Sequence, residues 1–284
     1  MIEQAASLSS SLPPLVLQAL RLAETLTTSG HGHQRAGIGD SFFAYRPYSA
    51  QENAASIDWR ASARMPAPVV REREHETPQT LYLWVDNSPS MDYRSKDDYP
   101  TKGEAARLLA LSLAAMLFKG NENVGTLDGQ VKPTNAASQL VRFYDAFSNA
   151  EPLNLPQLSN ASSRAHVLMV GDLLPQADET TAWLQKHLRS GMTLSFIEVC
   201  DVVEDTFRFE GPTRFRGLEK RDGSLEFLAP QDVRQQYLKR RSSFRDILKD
   251  QAKRSGGHYF TYRTDTDIED ILLQLYQYLG QPRG

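Results

Sequence analysis

Short apolar runs that alternate with helical patterns constrain the fold of this chain more than any other feature. The run Thr80–Val85 is almost wholly apolar and Val167–Gly171 is of the same kind, which is typical of strands buried on both faces of a parallel sheet, and Thr193–Val199 is predicted as a third strand. A helical pattern over Thr101–Lys119 follows the first run and ends at a glycine. This order predicts an α/β fold, with a three-layer, mostly parallel open sheet between helices.

The remaining patterns extend the alternation to both ends of the chain. Further helices are predicted over residues 14–27, 135–147, 178–189, 231–255 and 267–279, and further strands over 123–127 and 258–262. The segment about 206–228 alternates around two glycine turns and predicts an inserted β-hairpin. We expect two parts: an N-terminal helix with an aromatic and arginine-rich extension packed on the sheet (1–78), and the sheet domain (79–284).

Composition and charge exclude several classes of protein. The 284 residues include 32 basic and 35 acidic side chains, a net charge of −3, so no general positive field is available for nucleic acid. A single cysteine, Cys200, cannot form an intrachain disulfide. No apolar stretch is long enough to cross a bilayer and no targeting segment is evident, so we expect a cytoplasmic protein without a membrane span.

Two of the predicted strands end at an aspartate. The first is followed by a D-x-S-x-S arrangement, Asp86, Ser88 and Ser90, and the second ends at Asp172. Carboxyl ends of parallel strands meet at one edge of a sheet, where ligands bind. Carboxylate and hydroxyl oxygens suit Mg²⁺ or Mn²⁺, although the same residues also serve as ordinary turn and cap residues. We favour a metal site with an open position that accepts an acidic side chain of a partner.

The D-x-S-x-S sequence resembles the metal-ion-dependent adhesion site (MIDAS) of von Willebrand factor A domains. That site also uses a later threonine and a later aspartate. The resemblance assigns the aspartate to Asp172 and, by order along the chain, the threonine to Thr134. It implies that Ser88 and Ser90 ligate the ion directly and that Asp86 and Asp172 act partly through water.

A narrower resemblance covers most of the chain. The segments Gly39–Asp40, Tyr45–Tyr48, Ile57–Arg64 and Val85–Met91 follow the order found in the bacterial family called domain of unknown function 58. Members of that family carry an A-domain-like fold and typically accompany a MoxR-type AAA+ ATPase. The resemblance therefore implies a non-enzymatic, metal-dependent adaptor or co-chaperone that links the ATPase to a client protein.

Two other functions remain open at this point. A metal-independent structural scaffold would use the same sheet without an ion. A Mg²⁺-dependent phosphatase would use Asp86 as its nucleophile, but Ser88 stands where such enzymes need a second acid. The chain has no phosphate-binding G-x-x-x-x-G-K-[ST] loop, and Thr101–Gly103 is interpreted only as the start of a helix.

Three further clusters have simpler interpretations than a binding site. We expect the aromatic and arginine-rich cluster of the extension to be an internal network rather than a partner surface: Tyr45, Arg46, Tyr48, Asp58, Trp59, Arg60 and Arg64. His31 and His33 have metal-like spacing but lack further ligands nearby in sequence, so they are interpreted as a solvated loop. The basic helix face is predicted to face solvent: Lys239, Arg240, Arg241 and Arg245.

Overall fold

The computed structural model describes residues 12–29, 42–49, 57–73, 80–150, 165–173, 183, 191–209, 212–216, 224–227 and 231–280. The strands in these ranges are β1 (Phe42–Pro47), β2 (Val69–Arg73), β3 (Thr80–Val85), β4 (Asn123–Thr126), β5 (His166–Gly171), β6 (Thr193–Cys200), β7 (Thr213–Arg216), β8 (Ser224–Phe227) and β9 (Tyr259–Arg263). The helices are α1 (Pro14–Ser29), α2 (Trp59–Ser62), α3 (Lys102–Lys119), α4 (Leu140–Asn149), α5 (Val202–Thr206), α6 (Gln231–Arg254) and α7 (Ile268–Leu279).

Five strands form one parallel sheet in the order β4-β3-β5-β6-β9. The order runs outward in both directions from β3 and β5, so helical crossovers are needed on both faces. The predicted α/β fold and its mostly parallel open sheet are confirmed. The predicted hairpin is also present, because β7 and β8 pair with each other antiparallel.

Apolar side chains cover both faces of this sheet. One face packs against α3, and α1, α4 and α7 pack on α3, with Leu109, Phe143 and Leu272 in the cluster. The other face packs against α6, where Leu248 and Ala252 contact the strand cluster. Because both faces are buried, the strands read as continuous apolar runs rather than alternating ones.

Helix α3 is the buried helix of the first face, and its sequence explains its ends. Thr101 and Glu104 form a reciprocal capping box at the start: the Thr101 side chain accepts from Glu104 N at 3.1 Å, and Glu104 Oε2 accepts from Thr101 N at 2.8 Å. Gly120 ends the helix. Alanines that are fully buried on α1, Ala19 and Ala23, let that helix lie against α3.

The element boundaries differ from the predicted ones at a few places. The helix predicted over 135–147 begins instead with a 3₁₀ turn at Ala137–Gln139 and continues as α4. The one-turn helix α5 was not predicted, although Asp201 and Glu204 form a capping box at its start. The helix predicted over 178–189 lies outside the described residues apart from Trp183, which is helical.

Residues 30–79 form a compact unit of their own. In it, β1 and β2 pair antiparallel, and Ile57 bridges to Val70. Asp58 caps α2 by accepting from Ala61 N at 3.0 Å, whereas Trp59 is 66% exposed and so is not part of an internal network. His31 and His33 lie outside the described residues.

Helix α1 groups with the sheet rather than with this small unit. It lies against α3, a helix that contacts the sheet. None of the helices in the described ranges is long and apolar enough to cross a membrane.

The prediction that the basic face of α6 points to solvent is wrong for two of its four members. Arg241 Nη2 donates to Glu198 Oε1 at 2.6 Å, and Arg245 Nε donates to Glu198 Oε2 at 2.7 Å. Glu198 lies on β6 and is buried, so its carboxylate attracts both guanidinium groups to the sheet. Lys239 and Arg240 are exposed, as predicted.

Candidate metal centre

Strand register brings the two aspartates to one edge of the sheet. Val85 pairs with Val170 at the end of β3 and β5, and Asp86 N donates to Val170 O at 2.9 Å. Gly171 allows this approach: a Cβ built on it would lie only 2.3 Å from Asp86 Cβ. The glycine therefore lets the Asp86 side chain lie directly on the neighbouring strand.

A chain of hydrogen bonds joins four predicted site residues. Ser90 Oγ donates to Asp172 Oδ2 at 2.6 Å, and Ser88 Oγ lies 3.0 Å from Ser90 Oγ. Ser88 N donates to Asp86 Oδ1 at 2.8 Å, which closes the turn after β3. The structure thus brings Asp86, Ser88, Ser90 and Asp172 together, although Ser90 and Asp172 are 82 positions apart in sequence.

The loop after β3 is held in place by its own sequence. Ser88 precedes a 3₁₀ turn over Pro89–Asp92, and Pro89 fits its first position because it needs no N–H donor there. Met91 is buried in the main apolar cluster and anchors the turn. On the other strand, Leu173 has a positive φ of 53°, so the chain turns sharply just after Asp172.

A buried lysine, Lys102, completes the cluster. Its side chain is 1% exposed, and Nζ lies 3.0 Å from Asp172 Oδ2 and 2.7 Å from Glu204 Oε1. Lys102 is the first residue of α3, and its backbone N donates to Tyr93 O at 3.1 Å. The two carboxylates raise the pKa of Lys102, although burial alone would lower it. The lysine is therefore charged.

Asp86 is affected in the opposite sense. Burial, together with repulsion by the carboxylate of Asp172, raises its pKa from 3.8 to about 7. The hydrogen bonds from Ser88 and the charge of Lys102 lower it, but by less. The charged groups at this edge are the three carboxylates of Asp86, Asp172 and Glu204 and the ammonium group of Lys102. Their net charge is −2 when all four groups are ionised.

Thr134 is not part of this cluster. It pairs with Val124 through two backbone hydrogen bonds of 2.9 Å, and Val124 lies opposite Leu81 at the start of β3. Asp86 follows five residues later along the strand, a distance of about 16 Å at 3.3 Å per residue. Strand pairing places Thr134 beside the start of β4, whereas Asp86 lies at the carboxyl edge of the sheet. The assignment of Thr134 by its order along the chain therefore fails.

The donor set is compatible with a divalent ion of the magnesium type. Two carboxylates and two hydroxyls converge, and all are hard oxygen donors. In the described part of the chain, no three His, Cys, Asp or Glu side chains group as a metal site. An ion at this position would therefore depend on the serine hydroxyls and on water, as the D-x-S-x-S spacing implies.

Replacing Gly171 with alanine is expected to disturb this edge. The added methyl group collides with Asp86 Cβ, so we expect the free energy of unfolding to fall by about 1–3 kcal/mol. Thermal or urea unfolding measures the change. Gly120→Ala is the comparison, because a Cβ there would lie 3.3 Å from Leu117 O, a tight contact but a longer one than the 2.3 Å at Gly171; equal effects of the two variants would contradict the close approach.

A comparison with protein-family models places these residues in a known group. Residues 44–246 match the model described as "Protein of unknown function DUF58". The chain belongs to this family. The matched range contains all the cluster residues of the DUF58 chain, most of β1 and the whole of β2.

Three solved structures are similar to this DUF58 chain, each at 14% sequence identity. BatB from Bacteroides thetaiotaomicron has a TM-score of 0.41, with 72% of this chain and 100% of that chain covered. An aerotolerance-related membrane protein from Bacteroides fragilis has 0.43, with 71% and 98% covered. An uncharacterized membrane-spanning protein from Vibrio fischeri has 0.21, with 71% and 98% covered. No curated protein matches the sequence.

Sequence reasoning missed Lys102 and Glu204. A signal was present for the lysine, because a cation in the first turn of a helix opposes the helix dipole and needs a compensating partner. Glu204 carries a weaker signal as the last residue of a D-x-x-E capping box. Nothing in the spacing of the two residues predicts that they pair.

Proposed function

We propose that this DUF58 chain is a non-enzymatic, metal-dependent protein-binding module of the von Willebrand factor A type. It would act as an adaptor or co-chaperone for a MoxR-type AAA+ ATPase and a client protein. The observation that carries the proposal is the meeting of the D-x-S-x-S loop with Asp172 at the carboxyl edge of a parallel sheet.

Charge supports an ion at this edge. Burial, together with repulsion by Asp172, raises the pKa of Asp86 to about 7, and a nearby cation would relieve that repulsion. When Asp86 is ionised, the two uncompensated negative charges match one divalent ion. Asp86, Ser88, Ser90 and Asp172 would hold it, and the bound ion would supply a Lewis-acidic position for a carboxylate of the partner.

The four residues have distinct tasks in this proposal. Ser88 and Ser90 present their hydroxyl oxygens from a turn anchored by Met91. Asp172 accepts a hydrogen bond from the Ser90 hydroxyl and so leaves the oxygen lone pairs of the serine directed away from itself. Asp86 fixes the turn by accepting from Ser88 N. Together they form a rigid acceptor surface rather than a set of flexible side chains.

Binding of the purified MoxR-type ATPase of the same organism tests the proposal. We expect the chain to bind the ATPase in Mg²⁺. The affinity should fall by about tenfold or more in chelator, and by a similar factor in the double variant Ser88→Ala/Ser90→Ala. Ser112→Ala is the matched control, because Ser112 is buried on α3 outside the cluster. Mn²⁺ titration calorimetry of the wild type and Asp86→Asn shows whether the ion itself depends on the cluster.

The metal-independent scaffold gives a different result in the same experiment. It keeps the ATPase bound in chelator and tolerates loss of both serine hydroxyls. Binding that survives both treatments would replace the metal-dependent proposal with the scaffold.

A phosphatase that uses Asp86 is not favoured by the geometry. Ser88 stands at the position of the second acid, and its hydroxyl lies against Ser90. We expect no Mg²⁺-dependent hydrolysis of aryl phosphates above background; turnover that is lost in Asp86→Asn would revive that function.

A further inference from the structure

We propose that Lys102 is an internal competitor of the divalent ion at the D-x-S-x-S cluster, and that Glu204 sets how strongly it competes. The inference rests on the proposed function, because it concerns the same ion. In this inference, Lys102 controls the affinity for the ion because its ammonium group already neutralises Asp172, one of the carboxylates that would hold the ion.

The first argument is the position of the ammonium group. Lys102 Nζ and Ser90 Oγ both donate to Asp172 Oδ2, at 3.0 and 2.6 Å. The ammonium group of Lys102 therefore contacts the same carboxylate oxygen as Ser90, the serine whose hydroxyl would ligate the ion. A divalent cation held by Asp172 and Ser90 is repelled by an ammonium group at that distance.

The second argument is the alternative partner of the lysine. Glu204 Oε1 lies 2.7 Å from Nζ, closer than Asp172 Oδ2, and the Tyr93 ring centroid lies 5.9 Å from Nζ. Glu204 belongs to the short helix α5, and it accepts from Asp201 N through its other oxygen at 3.2 Å. Lys102 can thus keep a buried ion pair with Glu204 when an ion takes over Asp172.

The third argument is the fixed backbone of the lysine. The capping box of Thr101 and Glu104 and the bond from Lys102 N to Tyr93 O hold its Cα at the site. Only the side chain is left to adjust between two acceptors. Helix α5 is also tied to the loop of the cluster, since Asp201 Oδ2 accepts from Ser95 N at 2.9 Å. A change in the position of the Lys102 side chain would therefore alter its ion pair with Glu204 and so the contact with α5.

Mn²⁺ titration calorimetry of the full chain tests the inference with two variants of opposite expected sign. Lys102→Met removes the competitor, and we expect about tenfold tighter binding. Glu204→Gln leaves Asp172 as the remaining carboxylate partner of the lysine, and we expect binding about threefold or more weaker. Lys119→Met is the charge-matched control, because it removes the same charge from the same helix about 26 Å away and should change affinity less than twofold.

The outcomes separate this inference from the proposed function. Unchanged or weaker binding by Lys102→Met overturns it while leaving the metal site in place. Binding by Lys102→Met but not by the wild type supports it and removes the metal dependence of the natural protein. Loss of binding in every variant overturns both. Circular dichroism checks that Lys102→Met is folded; if it is not, Glu204→Gln decides, and unchanged or tighter binding overturns the inference.

Discussion

Replacing Glu198 with glutamine is expected to lower the free energy of unfolding by about 3–5 kcal/mol, because it leaves buried arginines without their shared carboxylate. Glu198 is 3% exposed and accepts from Arg241, Arg245 and the hydroxyl of Tyr259. Glutamine keeps an acceptor oxygen but loses the charge. The Arg241 guanidinium then stays buried, with Asp205 Oδ1 no closer than 3.8 Å from its Nε.

The position of Glu198 explains why the loss is large. It lies on β6, one of the strands that α6 contacts, and both arginines come from α6. The carboxylate thus pins the longest helix to the sheet at a point where water cannot replace it. Arg245 also bonds to Asp205 at 2.6 Å, so this one retains a partner, and the effect falls mainly on Arg241.

Urea unfolding of Glu198→Gln against Asp250→Asn measures this expectation. Asp250 makes an ion pair of 2.8 Å with Arg254 on the same helix, but both side chains are about half or more exposed. Its loss should cost less than about 1 kcal/mol. If the two variants lost the same stability, the buried network would contribute nothing beyond a surface pair.

Much of the fold could be predicted from the sequence because its signals are local. The runs at β3 and β5 are mostly apolar on both faces, so each is identifiable without knowledge of its neighbours. Helix α5 was missed because five residues carry too short a pattern for a period. Solvent exposure was misassigned on α6 because Arg241 is buried by a carboxylate on a strand 43 positions away.

The candidate site also contains residues that local sequence signals predict and residues that depend on distant contacts. Asp86, Ser88 and Ser90 lie within one turn, and Asp172 ends a recognisable strand, so strand order alone brings them together. Thr134 was assigned by its order along the chain, which says nothing about the end of the sheet at which it lies. Lys102 was missed because its partners come from the end of β5 and from α5, and no spacing in the sequence indicates these contacts.

Replacing Asp86 with asparagine is expected to stabilise the protein in chelator at pH 8, by about 2–4 kcal/mol. Asp86 is 2% exposed, and ionising it there is unfavourable because of burial and the neighbouring Asp172. Asparagine has the same shape and keeps an oxygen to accept from Ser88 N, but it carries no charge. The variant thus removes a repulsion without opening a cavity.

The pH dependence follows from the direction of the shift. The pKa of Asp86 rises from 3.8 to about 7 on folding, so the folded state binds this proton more tightly than the unfolded chain. The wild type therefore loses stability from this group as pH rises from about 4 to about 7, and the loss is complete above that range. Asparagine does not titrate, so the advantage of the variant grows over the same interval and then levels off.

Denaturant unfolding of both proteins from pH 4.5 to 8.5 in chelator measures that interval. Asp92→Asn is the control, since Asp92 is exposed in the same loop and its replacement should change stability by less than about 0.5 kcal/mol at every pH. Added Mg²⁺ should then stabilise the wild type but not Asp86→Asn, because only the wild type keeps the carboxylate that helps to hold the ion. If the difference in the free energy of unfolding between the two proteins were constant across the pH range, the pKa of Asp86 would not be raised by folding. The electrostatic support for an ion at this edge would then be lost.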